Sequence, residues 1–372
     1  MRAEALVDLS AIAHNVKKIK EATATDVLAV VKADAYGHGL IPVAQTAIKS
    51  GASMLGVALL EEAITLRDAG ITAPILAWLL QPGSDFTSAI ERDIDIAVAS
   101  KAALKEVRQA STTKRARVHI ELDTGMTRGG FLNEFADLTA ADFEGVDVVG
   151  VFSHFARADE PGEAQNQEQL DRFNLMVAKL ESFGFTNLIR HLSNSAASLT
   201  MPTARFNMVR LGIAMYGLSP DVKTLGTSQS LGLRPAMQLR AALYLVKDVA
   251  AGTPVGYGAT AVTKTDTRLG VVVMGYGDGI PRIAHGGSQD GAGVWVNGKR
   301  APIFGRVSMD QFVVDLGHES KANAGDWVVI FGNGSHGEYT ADDWGAASSS
   351  INYEIVTRIG PRVPRIYTPH VY

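Results

Sequence analysis

The sequence predicts an α/β chain: an N-terminal (β/α)8 barrel of the TIM type, then a C-terminal, mostly antiparallel β domain. Three observations carry that expectation. Eight apolar, β-branched runs succeed one another between Leu28 and Leu211, with helical patterns between them. The runs are continuous rather than alternating, the habit of parallel strands buried on both faces. After Leu218 the pattern changes to short β-type runs punctuated by turn signals. A length of 372 residues exceeds what one core usually serves, which fits two domains.

The elements follow in order. Ala11–Ala22 is amphipathic through Ile12, Val16 and Ile19, with Ser10 as its expected N-cap. It precedes the first barrel strand, so the residues ahead of it read as extended and as packing with the other domain. Barrel strands are expected at Leu28–Val31, Met54–Val57, Ile75–Leu79, Ile94–Ala99, Val118–Leu122, Val146–Phe152, Leu188–Leu192 and Met208–Leu211. Helical period appears between them in Val43, Ala47 and Ile48, in Leu60, Ala63 and Ile64, and in Leu170, Phe173, Val177 and Leu180. Eight such alternations fit a barrel; a doubly wound sheet is the competing architecture on pattern alone. The polar, Gly/Pro/Ser-rich stretch LSPDVKTLGTSQSLGLRP reads as a linker. That places the barrel in residues 1–225 and the β domain in residues 226–372. The second domain is expected to carry strands at Met237–Val246, Leu269–Val273, Val294–Val296, Phe312–Val314 and Trp327–Phe331, with turns at NGKR and GNGSHG.

Composition narrows the function. With 46% apolar and 20% charged residues the chain can bury a core, which excludes a disordered protein. Thirty-five Lys plus Arg against 39 Asp plus Glu, a net charge of −4, gives no footprint for nucleic acid or anionic lipid. The absence of cysteine excludes thiol catalysis, thiolate metal sites and disulfides. The N-terminal run MRAEALVDLS has no apolar leader pattern, and no stretch reaches the length of a membrane span. A cytoplasmic protein without a metal centre is the expectation.

The chemistry is expected where the first barrel strand ends. Lys32 directly follows the apolar run VLAVV, so it emerges at the carboxyl end of a buried strand, the face on which such barrels carry their sites. Partial desolvation lowers a lysine's pKa and makes its amine nucleophilic enough for a Schiff base. A lysine merely snorkelling from a strand end is the plain alternative. The turn that follows brings Tyr36, Gly37, His38 and Gly39 close behind it.

That segment, AVVKADAYGHG, strongly resembles the pyridoxal-phosphate motif of the alanine racemases. Further matches follow in the family's order: ELDTGMTRGG, FSHFARADE, HLSNSAA, VRLGIAMYG, VGYGAT, GYGDG, GRVSMDQ and INYEI. The resemblance implies a barrel followed by a β domain and a homodimer whose active sites each draw on both subunits. It implies interconversion of L-alanine and D-alanine on pyridoxal 5'-phosphate, supplying D-alanine for peptidoglycan. Lys32 would hold the cofactor and serve one face of the substrate. Tyr257, from the other subunit, would serve the opposite face. A tyrosine with an ordinary pKa near 10 is a poor base at pH 7, so cations such as Arg210 and the His154 region would have to depress it.

The remaining roles are likewise implied by the resemblance. Tyr36, Asn194, Ser195, Gly212, Ile213 and Tyr353 would cradle the phosphate, with Ser195 both capping a helix and facing the anion. Arg210 would pair with the pyridine nitrogen and, because a guanidinium keeps its protons, leave that nitrogen unprotonated. His191 would orient Arg210, and His154 would stand near the cofactor ring. Arg128 and the backbone N–H of Met309 would bind the substrate carboxylate. Asp159, Tyr276, Arg282 and Arg306 match the substrate entrance, though such charges read equally well as a solvated rim. One departure matters: Glu121 stands where many members carry a lysine that is typically carbamylated. It is expected to supply that anion directly beside Arg128, ionised and held lower by the guanidinium; the alternative is a carboxyl bonded to backbone in the barrel interior. Rival readings are a broader-specificity racemase, a related decarboxylase, which would use cysteine, and a non-catalytic cofactor-binding barrel, which would lack the second domain.

Overall fold

The computed structural model describes residues 1–111, 114–285 and 291–368. The chain divides into two compact units. One comprises Ile12–Ala35 and Leu40–Leu233; the other comprises Met1–Ala11, Tyr36–Gly39 and the residues from Arg234 on.

The first strand, β1 (Ala3–Asp8), leads into helix α1 (Leu9–Thr23). The cap of α1 is Asp8 rather than the expected Ser10. One Asp8 carboxylate oxygen accepts from the Ser10 N–H at 2.8 Å, the Ser10 hydroxyl and the Ala11 N–H. A carboxylate accepts the stronger, charge-assisted bonds, so the serine becomes a donor to it.

The barrel unit is built on eight parallel strands: β2 (Asp26–Val30), β3 (Met54–Val57), β4 (Ile75–Ala77), β5 (Ile94–Val98), β6 (Ala116–Glu121), β7 (Val146–Phe152), β8 (Ile189–His191) and β9 (Met208–Leu211). Neighbours in sequence are neighbours in the sheet, and β2 also pairs with β9. The ring is completed between β8 and β9 by single bonds: the Arg210 N–H donates to Ser193 O at 2.9 Å and the Arg190 N–H to Asn207 Oδ1 at 2.7 Å. Every residue of β3, β4, β5 and β9 is buried, which is why these runs read as continuous apolar stretches. The short α2 (Lys32–Gly37), then α3 (Leu40–Lys49), α4 (Leu60–Asp68), α5 (Phe86–Glu91), α6 (Lys101–Ala110), α7 (Ala164–Ser182) and α8 (Ser195–Thr200) connect them. Their apolar stripes face inward: Val43, Ala44 and Ala47 on α3, Leu170, Phe173, Val177 and Leu180 on α7. The connection from β6 to β7 departs from the expected alternation. It carries two 3-10 turns, Asn133–Asp137 and Ala140–Phe143, and no α-helix. Its glycine-rich start folds back on the strand end, with Phe131 N–H donating to Glu121 O at 2.8 Å and Asp123 N–H to Phe131 O at 3.0 Å. The Gly/Pro/Ser-rich stretch expected as a linker holds one short helix, α9 (Val222–Leu225).

The second unit contains β10 (Met237–Val249), β11 (Pro254–Val255), β12 (Ala261–Val262), β13 (Thr267–Val272), β14 (Gly293–Val296), β15 (Lys299–Pro302), β16 (Phe312–Asp315), β17 (Trp327–Phe331) and β18 (Arg365–Thr368), with helices α10 (Ala341–Ala347) and α11 (Asn352–Thr357). Its main sheet runs β15-β14-β17-β10-β1-β18, and β13 lies on β10 and carries β16. Pairing is antiparallel except for β1 with β18. The NGKR turn is the hairpin between β14 and β15, with Asn297 at φ 49° and Gly298 at φ 80°, the left-handed pair that such two-residue turns require.

Candidate active site

In the barrel unit, β2 ends at Val30 and delivers Lys32 into an unusual backbone. Ala33, Asp34, Ala35 and Tyr36 have φ of 54°, 54°, 53° and 53°, so α2 is a turn of left-handed helix. Each L-residue in that conformation costs about 1–2 kcal/mol. Local bonds hold it: Ala35 N–H donates to Val31 O at 2.8 Å, and Asp34 Oδ1 accepts from Leu40 N–H at 2.8 Å. The Glu62 carboxylate, in the first turn of α4, accepts from Ala33 N–H at 2.6 Å and from Ala58 and Leu59 N–H at 3.0 Å each. The Lys32 amine lies 6.0 Å from the centroid of the Trp78 ring. Burial and then the charge of Arg128 pull its pKa down, against an opposing pull from Glu62.

Arg210, on β9, is buried. Its Nη1 donates to His191 O and approaches His191 Nδ1 at 3.4 Å. Its Nη2 donates to Ser153 O at 2.7 Å, Leu192 O at 3.2 Å and His154 Nδ1 at 3.1 Å. Burial pulls the guanidinium down to about 10, with Glu121 opposing, so it stays charged at pH 7. Burial, followed by the charge of Arg210, holds His154 well below the ordinary histidine range. Burial, then His119 and Arg210, does the same for His191. Both rings are therefore neutral acceptors beside the guanidinium.

The expected anion cradle is assembled differently from the sequence reading. Asn194, not Ser195, caps α8, its Oδ1 accepting from Ala197 N–H at 3.0 Å. Asn194 has the extended backbone that a cap needs, while Ser195 already has helical geometry. The Gly212 N–H donates to Ser195 Oγ at 2.9 Å, and the Ala214 N–H does so at 3.3 Å. With both oxygen lone pairs engaged, the serine presents its hydroxyl proton. Ile213 opens a 3-10 turn, Ile213–Tyr216.

Glu121 corrects a second expectation. Its carboxylate lies against Gly129, where an added Cβ would stand 3.1 Å from Oε1. Burial raises its pKa and outweighs Arg210 and, after it, Arg128. The guanidinium expected to dominate is the weaker of the two because Arg128 sits at the exposed tip of its loop. Asp159 is half-buried on the loop after β7, its carbonyl accepting from the Thr224 hydroxyl.

In the second unit, Tyr257 opens a 3-10 turn between Gly256 (φ 73°) and Gly258 (φ 75°) and is 72% exposed. The Arg306 guanidinium packs on this turn, 3.1 Å from where a Cβ on Gly258 would stand. Met309 is 54% exposed. Its loop is tied down by Gly277 N–H to Met309 O at 2.8 Å and Tyr276 N–H to Ser308 O at 3.1 Å. Arg362 bridges Asp278 and Asp310 at 2.9 Å each. Tyr257, Arg306 and Met309 thus line one groove together with Tyr244, Asp310 and Phe312. Arg282 is exposed in the 3-10 turn Arg282–Ala284. Tyr36 and Tyr353 also belong to this unit, their ring centroids 6.3 Å apart. Burial pushes the Tyr36 hydroxyl up to about 12, so it is a proton donor at neutral pH.

Comparison with known proteins agrees with this geometry. The N-terminal domain model of alanine racemase matches residues 7–220, and the C-terminal domain model matches residues 236–367. The chain belongs to the alanine racemase family. It is a pyridoxal-phosphate-dependent isomerase that interconverts L- and D-alanine. The alanine racemase of Salinispora arenicola is 48% identical over 375 residues, covering 98% of each chain. The crystal structure of the alanine racemase from D-cycloserine-producing Streptomyces lavendulae superposes with a TM-score of 0.96 at 47% identity, covering 100% of this chain and 98% of that one. That of Bacillus anthracis, with bound L-Ala-P, gives 0.88 at 37% identity, covering 99% and 95%.

The residues fit the family's cofactor. An amine with a lowered pKa, a buried guanidinium and a serine hydroxyl with its proton to spare suit a phosphorylated aromatic aldehyde. Among the described residues no helix is long and apolar enough to cross a membrane. Three groups are not singled out by the sequence: Glu62 in α4, His119 in β6 and Asp95 in β5.

Proposed function

We propose that alanine is racemised here by two proton-transfer groups on opposite faces of the α-carbon, Lys32 on one and Tyr257 on the other. The observation that carries this reading is Lys32 itself, desolvated at the carboxyl end of β2 in a barrel that also buries Arg210. Pyridoxal phosphate, when bound, withdraws electrons from the substrate's α-carbon and so acidifies its proton. A lysine with a lowered pKa is more often neutral near pH 7, so its Nζ can accept that proton. Arg210 would face the pyridine nitrogen; a charged guanidinium donates there without surrendering a proton. Ser195 and Tyr36, both donors, would hold the phosphate with Asn194, Gly212, Ile213 and Tyr353, Gly212 acting through the Ser195 hydroxyl it supports. Arg128 and the Met309 N–H would hold the substrate carboxylate. His154 would flank the ring and His191 would position Arg210. Asp159, Tyr276, Arg282 and Arg306 would line the entrance.

A base works poorly in bulk water, and Tyr257 and Met309 are among the more exposed large side chains of the second unit. Their exposure supports a homodimer in which each site takes Tyr257 and Met309 from the other subunit. The reading extends to the cytoplasm and to D-alanine supply for peptidoglycan.

The test is a chiral assay of the purified chain with pyridoxal phosphate. Loss of circular dichroism should be fastest with L-alanine, slower with L-serine and slowest with L-lysine. Lys32→Ala should lose the absorbance of bound cofactor and several orders of magnitude in turnover. A Lys32→Ala protein with normal absorbance and turnover overturns the assignment.

A further inference from the structure

A chain of buried polar groups crosses the barrel interior behind Arg210. His191 Nδ1 faces the guanidinium, and His191 Nε2 meets His119 Nδ1 at 2.8 Å. His119 Nε2 lies 3.4 Å from Asp95 Oδ2, and Asp95 is paired with Arg117 at 2.7 Å. His119, His191 and Asp95 are at most 2% exposed, in a layer that barrels of this kind usually fill with branched apolar residues. The strand between the two histidines is shaped to admit them. A Cβ on Gly150 of β7 would stand 2.2 Å from His119 Nδ1. A break in the β6–β7 register between Val118 and His119 sets His119 opposite Gly150, the kind of irregularity that re-aims a side chain. Phe152, two residues on, stacks on the His191 ring at 4.9 Å and 10°.

The hydrogen-bonding roles run in one direction only. A guanidinium can only donate, so His191 Nδ1 must accept and its single proton must be on Nε2. That proton points at His119 Nδ1, which must therefore accept. The His119 proton is then also on Nε2, the atom that lies 3.4 Å from an Asp95 carboxylate that can only accept. Burial works against ionisation of Asp95, but the bonds from His119 and Arg117 outweigh it and hold its pKa low. Were His191 to hold its proton on Nδ1, an N–H would point at an N–H of Arg210.

We infer that Asp95 and His119 are positioning residues for Arg210: Arg210 dictates the tautomer of His191, and Asp95 selects the His119 tautomer that accepts from His191 and holds its ring from the far side of the barrel. Their importance for turnover rests on the reading of Arg210 given above; the tautomer assignment does not. The experiment is therefore done first without cofactor, by 15N NMR of the histidine rings. In the wild-type protein His119 and His191 should each show the Nε2–H tautomer. Asp95→Asn, nearly isosteric, can turn its amide NH2 towards His119 Nε2, so His119 should populate the Nδ1–H tautomer, which can no longer accept from His191. His119→Leu should remove that acceptor altogether and leave the His191 ring held by Arg210 alone. Both variants should bind pyridoxal phosphate roughly tenfold more weakly, the scale on which losing the outer partner of a ligating histidine is felt. Their kcat should fall while the KM for alanine stays near wild type, because the substrate carboxylate is held elsewhere. If His191 carries its proton on Nδ1 in the wild type, the inference fails. It also fails if the folded Asp95→Asn protein keeps His119 as a single Nε2–H tautomer and retains wild-type cofactor affinity. A wild-type chain that binds no pyridoxal phosphate would instead overturn the proposed function, with the tautomers still decided.

Discussion

Position 121 holds a carboxylate, and the consequence is a question of burial against charge. Burial raises the pKa of Glu121 in spite of two nearby guanidiniums. A folded-state pKa above the unfolded one stabilises the protein below the unfolded pKa, and that contribution is lost as the pH climbs through the folded value. Glu121→Gln removes the titration, so its stability relative to wild type should grow from pH 4 towards pH 8, readable as a widening gap in Tm. A gap that narrows over that range would show Glu121 held low instead. Activity should be indifferent to bicarbonate in the wild type. In Glu121→Lys it should depend on bicarbonate if Arg128 needs an anion there, as a racemisation assay with and without added bicarbonate will show. By position alone Lys32 reads equally as a lysine snorkelling from a strand end, and the motif around it is what singles it out; Arg210 is singled out by lying within an apolar run, where a cation needs a partner. Glu62, His119 and Asp95 were not legible, because their partners lie on other strands and helices, and one-dimensional spacing does not reveal a cross-barrel bond.

Among the elements, all eight barrel strands were legible from continuous apolar runs, and their ends moved by no more than a few residues. The connection after β6 was not, since three glycines and a returning strand segment replace the helix that the alternation predicts. Nor was the left-handed turn α2. Alanine and tyrosine have no preference for positive φ, and only Gly37 and Gly39 hinted at a special backbone. Gly37, at φ 78°, has no room for a side chain, since a Cβ would stand 2.4 Å from Val356 O. Glu62 is the most heavily used acceptor in this region. Glu62→Ala should cost about 1–2 kcal/mol in chemical denaturation, the scale of lost charge-assisted bonds to partly exposed amides. It should also shift the absorbance of bound pyridoxal phosphate, because Lys32 adjoins the Ala33 amide. Glu62→Gln keeps an acceptor and should recover most of the stability. Equal losses in the two variants would assign the effect to charge alone.

For the whole molecule, the proposed sharing of sites predicts complementation. Lys32→Ala and Tyr257→Ala proteins, each inactive, should regain activity when mixed and allowed to exchange subunits, because each mixed dimer holds one site with both groups. No recovery after exchange has been verified by mass spectrometry would mean that each chain supplies its own pair. The order of the strands also bears on how the chain is made. β1 is flanked by β10 and β18, so Ala3, Ala5 and Val7, buried in the finished sheet, leave the ribosome long before either neighbour exists. At about 5–20 residues per second, the wait from Asp8 to Met237 is on the order of ten to fifty seconds. During that interval the nascent chain can close its barrel while trailing an unpaired apolar strand, the feature that most invites association with a neighbouring polypeptide. Crowded polysomes, rather than the mature enzyme, are where aggregation should begin.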